Sequence, residues 1–338
     1  MQRQQQGFSL VELMVALAIG LVAVGAVSAV LVSSSSIYRV SDNRARIQEN
    51  ARFAVRALEQ DVRQAGFMGC FNLSMFPTRF ENLAQNKGDF ENDYQTWIGG
   101  YEAGASAWTP ALDAKVGGVT HTPIPGNDVL VVRLPAGQSV AMNGDMPSTS
   151  VPIPVASVDG FKKGMLAIVS DCSYANLFVV GTIAADKKLV HAADANTSPK
   201  LTRVFSPDDG AMVTPVTTVS YFIAAASDGV PGNRALWRQN ALADPEEIAD
   251  GVENLQIEYG VDTDTVADGV TNQFVTADKI GSAQVTALKV SLLVKSPGDN
   301  MAMSKQVFNF NGTAGQVGAD KRLYTPFSTT ITLRNRVF

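Results

Sequence analysis

Two histidines, two cysteines and one aspartate-rich loop hold most of the reactive chemistry that this chain of 338 residues offers. His121 and His191 are far apart, and no HExxH, CxxC or G-x-S-x-G string occurs. Metal-assisted, thiol-redox and serine-nucleophile chemistry therefore have no local footing. No G-x-x-x-x-G-K occurs either, which removes the usual phosphate cradle. Both histidines are expected to be buried or solvated side chains rather than ligands. The run Asp262-Thr263-Asp264-Thr265-Val266-Ala267-Asp268-Gly269 has the look of a calcium loop. It fails the spacing, because Val266 takes the fifth position and Ala267 stands where the sharp turn needs glycine. It reads as an acidic turn. No catalytic residue, no metal and no cofactor are expected, and the chain is expected not to be an enzyme.

Glu12 stands where a charge is costly. The residues from Leu13 to Val32 carry no charge and are dominated by Leu, Val, Ala, Ile and Met. As a helix, this run spans about 30 Å, the hydrocarbon thickness of a bilayer. It is longer than the core of an ordinary secretory signal. A carboxylate at its edge is by default a functional candidate, and it calls for a cation at similar depth. The short polar leader Met1–Gly7 precedes the run, so cleavage there leaves the run on the mature chain.

Gly7-Phe8-Ser9-Leu10-Val11-Glu12-Leu13 resembles the signal of type IV prepilins and of type II secretion pseudopilins. The resemblance implies cleavage between Gly7 and Phe8 by a prepilin peptidase and N-methylation of Phe8. It also implies an assembly role for Glu12, which would meet the N-terminal amine of a neighbouring subunit. Further strings narrow the likeness: Ala65–Cys70, Asp171–Ser173, Asp250–Asp262 and Phe327–Arg336 are similar to the minor pilin family PilW. That likeness extends over nearly the whole length, with residues 72–125 matching least and reading as an insertion. It implies a structural minor pilin that helps prime type IV pilus assembly, with a place at the pilus tip open to it. The partners implied are other minor pilins, the major pilin, an inner-membrane assembly platform and a tip adhesin. A type II secretion pseudopilin, or a displayed adhesin or DNA-uptake module, is the alternative.

These roles need a long, stiff element to carry them. From Tyr38 onward Val40, Ile47, Ala51, Ala54, Leu58, Val62 and Ala65 recur at helical spacing. No proline precedes Pro77, Glu59 and Arg63 form a favourable i,i+4 pair, and Gly66 suits a helix end. Residues 8–66 are thus expected to form one helix of about 87 Å, transmembrane over 13–32 and amphipathic over 38–65. No single compact domain covers such a helix.

Residues 67–338 are expected to form a β-rich periplasmic or extracellular domain. Strands are expected at 128–134, 165–169, 177–183, 216–225, 235–239, 254–261, 286–295 and 327–333, with 84–92 and 99–110 as loops. The fold class is α+β and pilin-like, with the helix lying on an antiparallel sheet. The formal net charge is -5; residues 1–66 carry seven Arg against five acids (+2), which leaves -7 on the remainder. An acidic domain argues against nucleic acid as a partner. Cys70 and Cys172 lie beyond the apolar run, in a part placed outside the inner membrane. One disulfide is the expectation in that compartment, and two buried thiols are the alternative.

Overall fold

The computed structural model describes residues 9–333, apart from 74, 119, 242, 266 and 267. A single helix runs over Leu10–Gln64, 55 residues or about 82 Å. It ends where Gly66 takes φ 69°, a left-handed conformation that costs glycine little. Along its second half Ile47, Ala51, Ala54, Leu58 and Val62 are buried, three or four residues apart. That spacing places them on one face.

This face lies against two sheets. The larger follows the order 80–82, 175–179, 166–170, 212–225, 129–135, 98–103 and 108–109. Its longest strand, Met212–Ala225, pairs with Val129–Pro135 along one edge. On its other edge it pairs first with Leu166–Ser170 and then with Arg234–Asn240. The smaller sheet runs 273–275, 252–262, 284–295 and 324–332, all antiparallel. Helix residues 47–65, Leu130, Val132 and Tyr221 of the larger sheet, and Leu255, Ile257, Leu288 and Val290 of the smaller one share a single core.

The strands expected at 216–225 and 235–239 pair across the turn at 229–234. Those expected at 128–134, 254–261, 286–295 and 327–333 are present with slightly different ends. The expected strand at 177–183 is two pieces, Ala175–Val179 and Ile183–Ala184. Gly181 sits between them, where a Cβ would come within 3.2 Å of the Val190 carbonyl.

The loop expected at 99–110 is a correction. Ile98–Ala103 is a strand that pairs with Val129–Pro135, and Trp108–Thr109 folds back on it. Its Gly-Gly pair conceals it in the sequence, because glycine is a poor strand former. Here Gly100 is required: a Cβ would lie 2.1 Å from the Val129 carbonyl oxygen and 2.4 Å from the Tyr259 hydroxyl. The strands Glu246–Asp250, Val307–Phe310 and Thr313–Val317 are additions. One pairing, 80–82 with 175–177, is parallel.

Candidate functional site

The first half of the helix carries the chemistry of insertion. No residue from 10 to 42 is buried, and Leu21, Val22 and Val32 are 78%, 71% and 71% exposed. Fully burying one such side chain is worth roughly 1.5–3 kcal/mol, so a whole exposed stripe needs a lipid or helical environment. The helix is long and apolar enough to cross a membrane. Ser9 is extended at the N-cap, and Glu12 lies exposed in the first turn. A negative charge suits the positive end of the helix dipole there. Gly7 and Phe8, the expected cleavage and methylation positions, lie outside the described residues.

Polar contacts fix where the helix meets the domain. Asn43 donates to the Arg39 carbonyl, and its side-chain oxygen accepts from the Gly298 amide at 2.9 Å. A Cβ on Gly298 would lie 2.9 Å from that same oxygen. One stretch further, Asn50 donates to the Asp250 carbonyl at 2.9 Å. Asp61 lies on the buried stripe at 7% exposure, and its Oδ2 accepts from Tyr221 Oη at 2.7 Å and Arg238 Nε at 2.8 Å. Burial, with the Asp61 charge beside it, pushes the Tyr221 phenol well up. Gly66 donates to the Arg133 carbonyl.

Cys70 and Cys172 are joined, with their Cα atoms 4.8 Å apart and a separation of 102 in sequence. The bond ties the helix end to the loop after strand Leu166–Ser170. Nearby, Ser170 Oγ donates to the Met68 carbonyl at 2.7 Å.

The contacts of Asn43, Asn50 and Asp61 were not anticipated from the sequence. Asp61 left a signal: an acid interrupts an otherwise apolar stripe between Leu58 and Val62.

Asp262, Asp264 and Asp268 place carboxylate oxygens within 4.8 Å of one another. The Asp262 oxygens already accept from the amides of Asp264, Gly269 and Asp268. Those amides hold its carboxyl below the usual range, Asp264 first. Its geometry is that of a turn cap. His191 donates to or accepts from nothing catalytic: its Nε2 lies 2.9 Å from the Val151 carbonyl, and burial lowers its pKa. His121 packs on Trp237 with ring centroids 3.9 Å apart.

Residues 220–335 match the family model of the type IV pilus-assembly protein W, PilW, and residues 2–28 match the prokaryotic N-terminal methylation motif. The chain is a type IV pilin-like protein that carries a PilW domain and a prepilin signal. It is a structural protein, not an enzyme. The prepilin-like signal and the apolar helix anchor it to a membrane, with the globular part outside the bilayer. A role in a type IV pilus brings contact with other pilus components.

The strings at 250–262 and 327–335 fall within the PilW match, while those at 65–70 and 171–173 fall outside it. The family likeness is thus narrower than the whole length: residues 29–219 lie outside both matches. No curated protein matches the chain. Among solved structures, a type IV-like pilin from Thermus thermophilus is similar at 19% identity over 36% of this chain and 68% of its own. The TM-score is 0.20, so the fold rests on the geometry of this chain itself.

Proposed function

We propose that this protein is a minor pilin subunit that helps prime type IV pilus assembly. In this reading it is cleaved between Gly7 and Phe8, methylated at Phe8, and held in the inner membrane by residues 13–32. Its β-rich domain, residues 67–338, lies in the periplasm and reaches the cell surface after assembly. It assembles with other minor pilins and the major pilin on an inner-membrane platform, and it takes a place near the fibre tip.

One observation carries the reading. A single unbroken helix has an exposed apolar half and a second half locked into a domain. Such a helix transmits the position of the domain to whatever packs around its apolar half. A carboxylate carried into a helical bundle at the membrane calls for a cation at similar depth. The new amine of Phe8 on a neighbouring subunit is that cation.

The test is Glu12→Ala and Glu12→Asp in a deletion strain, with membrane level, cleavage and surface pili measured together. The expected outcome is normal membrane level and cleavage, loss of pili with Glu12→Ala, and partial loss with Glu12→Asp. Normal piliation by a stably expressed Glu12→Ala protein overturns the charge-pairing role.

A further inference from the structure

The uncharged stretch of the helix is longer than a bilayer core is thick. No charge occurs from Leu13 to Tyr38, and these 26 residues rise about 39 Å against about 30 Å of hydrocarbon. Tyr38 and Arg39 close the stretch, both exposed, and they are the residue types that settle at headgroup level. Asn43 follows one turn later, about 6 Å further along. It is the first buried residue of the helix, so the segment it touches is the part of the domain nearest the anchor. That segment is 298–301: the Gly298 amide donates to Asn43 Oδ1, and Asn43 Nδ2 lies 3.3 Å from Met301 Sδ. The next polar contact, Asn50 with Asp250, lies about 10 Å beyond it along the helix.

A hairpin leaves from Met301. Its arms are joined by the Ala302 amide on the Lys321 carbonyl and the Gly318 amide on the Gln306 carbonyl, and strands Val307–Phe310 and Thr313–Val317 pair beyond them. Its two faces differ. Phe310 is buried with Leu293 and Tyr324, and Phe308 stacks on the Tyr324 ring with centroids 5.4 Å apart. Val307 and Val317 are directly paired and alternate with Phe308, so they turn outward together. Each is more than half exposed, and Met303 is fully exposed.

Three exposed apolar side chains on the part of the domain nearest the anchor call for an apolar surface at that height. The charge there complements lipid phosphate. Residues 39–46 and 298–322 together carry six bases against three acids, a balance of +3, of which 298–322 contribute +1. Residues 67–338 sum to -7, so the rest of the domain carries -8. Lys305 and Lys321 stand exposed on the hairpin, while Asp320 is engaged by Arg322 and the Tyr324 hydroxyl.

We propose that this hairpin docks the unassembled domain on an anionic bilayer surface. Met303, Val307 and Val317 enter the headgroup layer, and Lys305 and Lys321 meet lipid phosphates. The domain then lies against its own membrane until assembly lifts it away. The proposal rests on the anchoring reading above, because without the span nothing holds the hairpin at that height.

The experiment uses the full chain in lipid nanodiscs, with tryptophan fluorescence quenched by a phospholipid spin-labelled at its headgroup. The variants are Met303→Trp and Val307→Trp, with Val204→Trp as the control. Val204 is exposed and follows Arg203, which pairs with Asp171 beside the disulfide at the far end of the helix. In discs containing phosphatidylglycerol, both hairpin variants should gain a quenched component over the parent chain, and Val204→Trp should not. Pure phosphatidylcholine discs, or Lys305→Glu combined with Lys321→Glu, should remove that component. Melting temperatures identify any variant that fails to fold; if one hairpin variant does, the other decides. Quenching no stronger than at Val204, or quenching indifferent to lipid charge, overturns the proposal. So does a dimer in micelles that Met303→Glu dissociates, which gives the face to a second copy of the chain. A parent chain that does not enter the discs overturns the anchoring reading and this proposal with it, whereas a chain that enters and shows no quenching overturns the docking alone.

Discussion

Residues 10–42 and residues 43–64 belong to one helix, yet the first stretch buries nothing and the second buries seven side chains. The difference lies in pattern. Over residues 13–32 the first is apolar all round, which only lipid or neighbouring helices can satisfy. The second confines its apolar residues to one stripe and supplies Asn43, Asn50 and Asp61 as polar contacts at intervals along the domain. The same backbone geometry therefore serves two solvents, and the side chains alone decide which.

The sharpest break of that contrast is at the disulfide. Replacing both Cys70 and Cys172 by Ser opens a loop closed at a sequence separation of 102, for which the chain-entropy model gives about 4–5 kcal/mol. Denaturant unfolding of the micelle-held protein should show this loss, while membrane anchoring through the exposed apolar half of the helix is unchanged.

Paired truncations test the two halves directly. Leu58→Ala removes a fully buried side chain and should cost about 2–5 kcal/mol of domain stability. Leu21→Ala, at a position 78% exposed to whatever surrounds the anchor, should leave the unfolding midpoint of the domain in place. Equal losses would mean that the two halves are not independent.

Asp61→Ala should cost about 1–3 kcal/mol, because Tyr221 and Arg238 lose a shared acceptor in a largely buried place. A double-mutant cycle with Arg238→Ala should return a coupling between the two residues. No coupling would remove Asp61 from the docking contacts.

A pH-dependent effect is expected at Asp128, which joins the two sheets through its two oxygens. Its oxygens accept from the amides of Ala103 and Ile257. Burial pushes its carboxyl up to about 7, with those amides opposing and Glu102 adding to the rise. A carboxyl raised on folding binds more protons in the native state, so its contribution is full below about pH 4 and is lost as pH rises through about 7. Asp128→Asn should flatten that part of the stability profile in denaturant melts at pH 5 and pH 8. An unchanged difference between the two pH values would show that Asp128 does not titrate there.

The helix was legible from residue to residue. Apolar runs, three-four spacing and a glycine at the end are local signals, and local signals need no knowledge of the rest of the chain. The strands with clear β-branched runs, such as Val129–Pro135 and Gln284–Lys295, were legible for the same reason. Ile98–Ala103 was not, because its glycines are explained only by the approach of Val129 and Tyr259 from elsewhere.

The sequence by itself determined the anchor, the signal before it, and a single possible disulfide pair, since only two cysteines are present. Tertiary structure alone decided that Asp61 meets Arg238, 177 residues away, and that Asn43 seats on Gly298. Pairings of that kind depend on which strands lie side by side, and that order follows from how the whole chain buries its apolar surface around one helix.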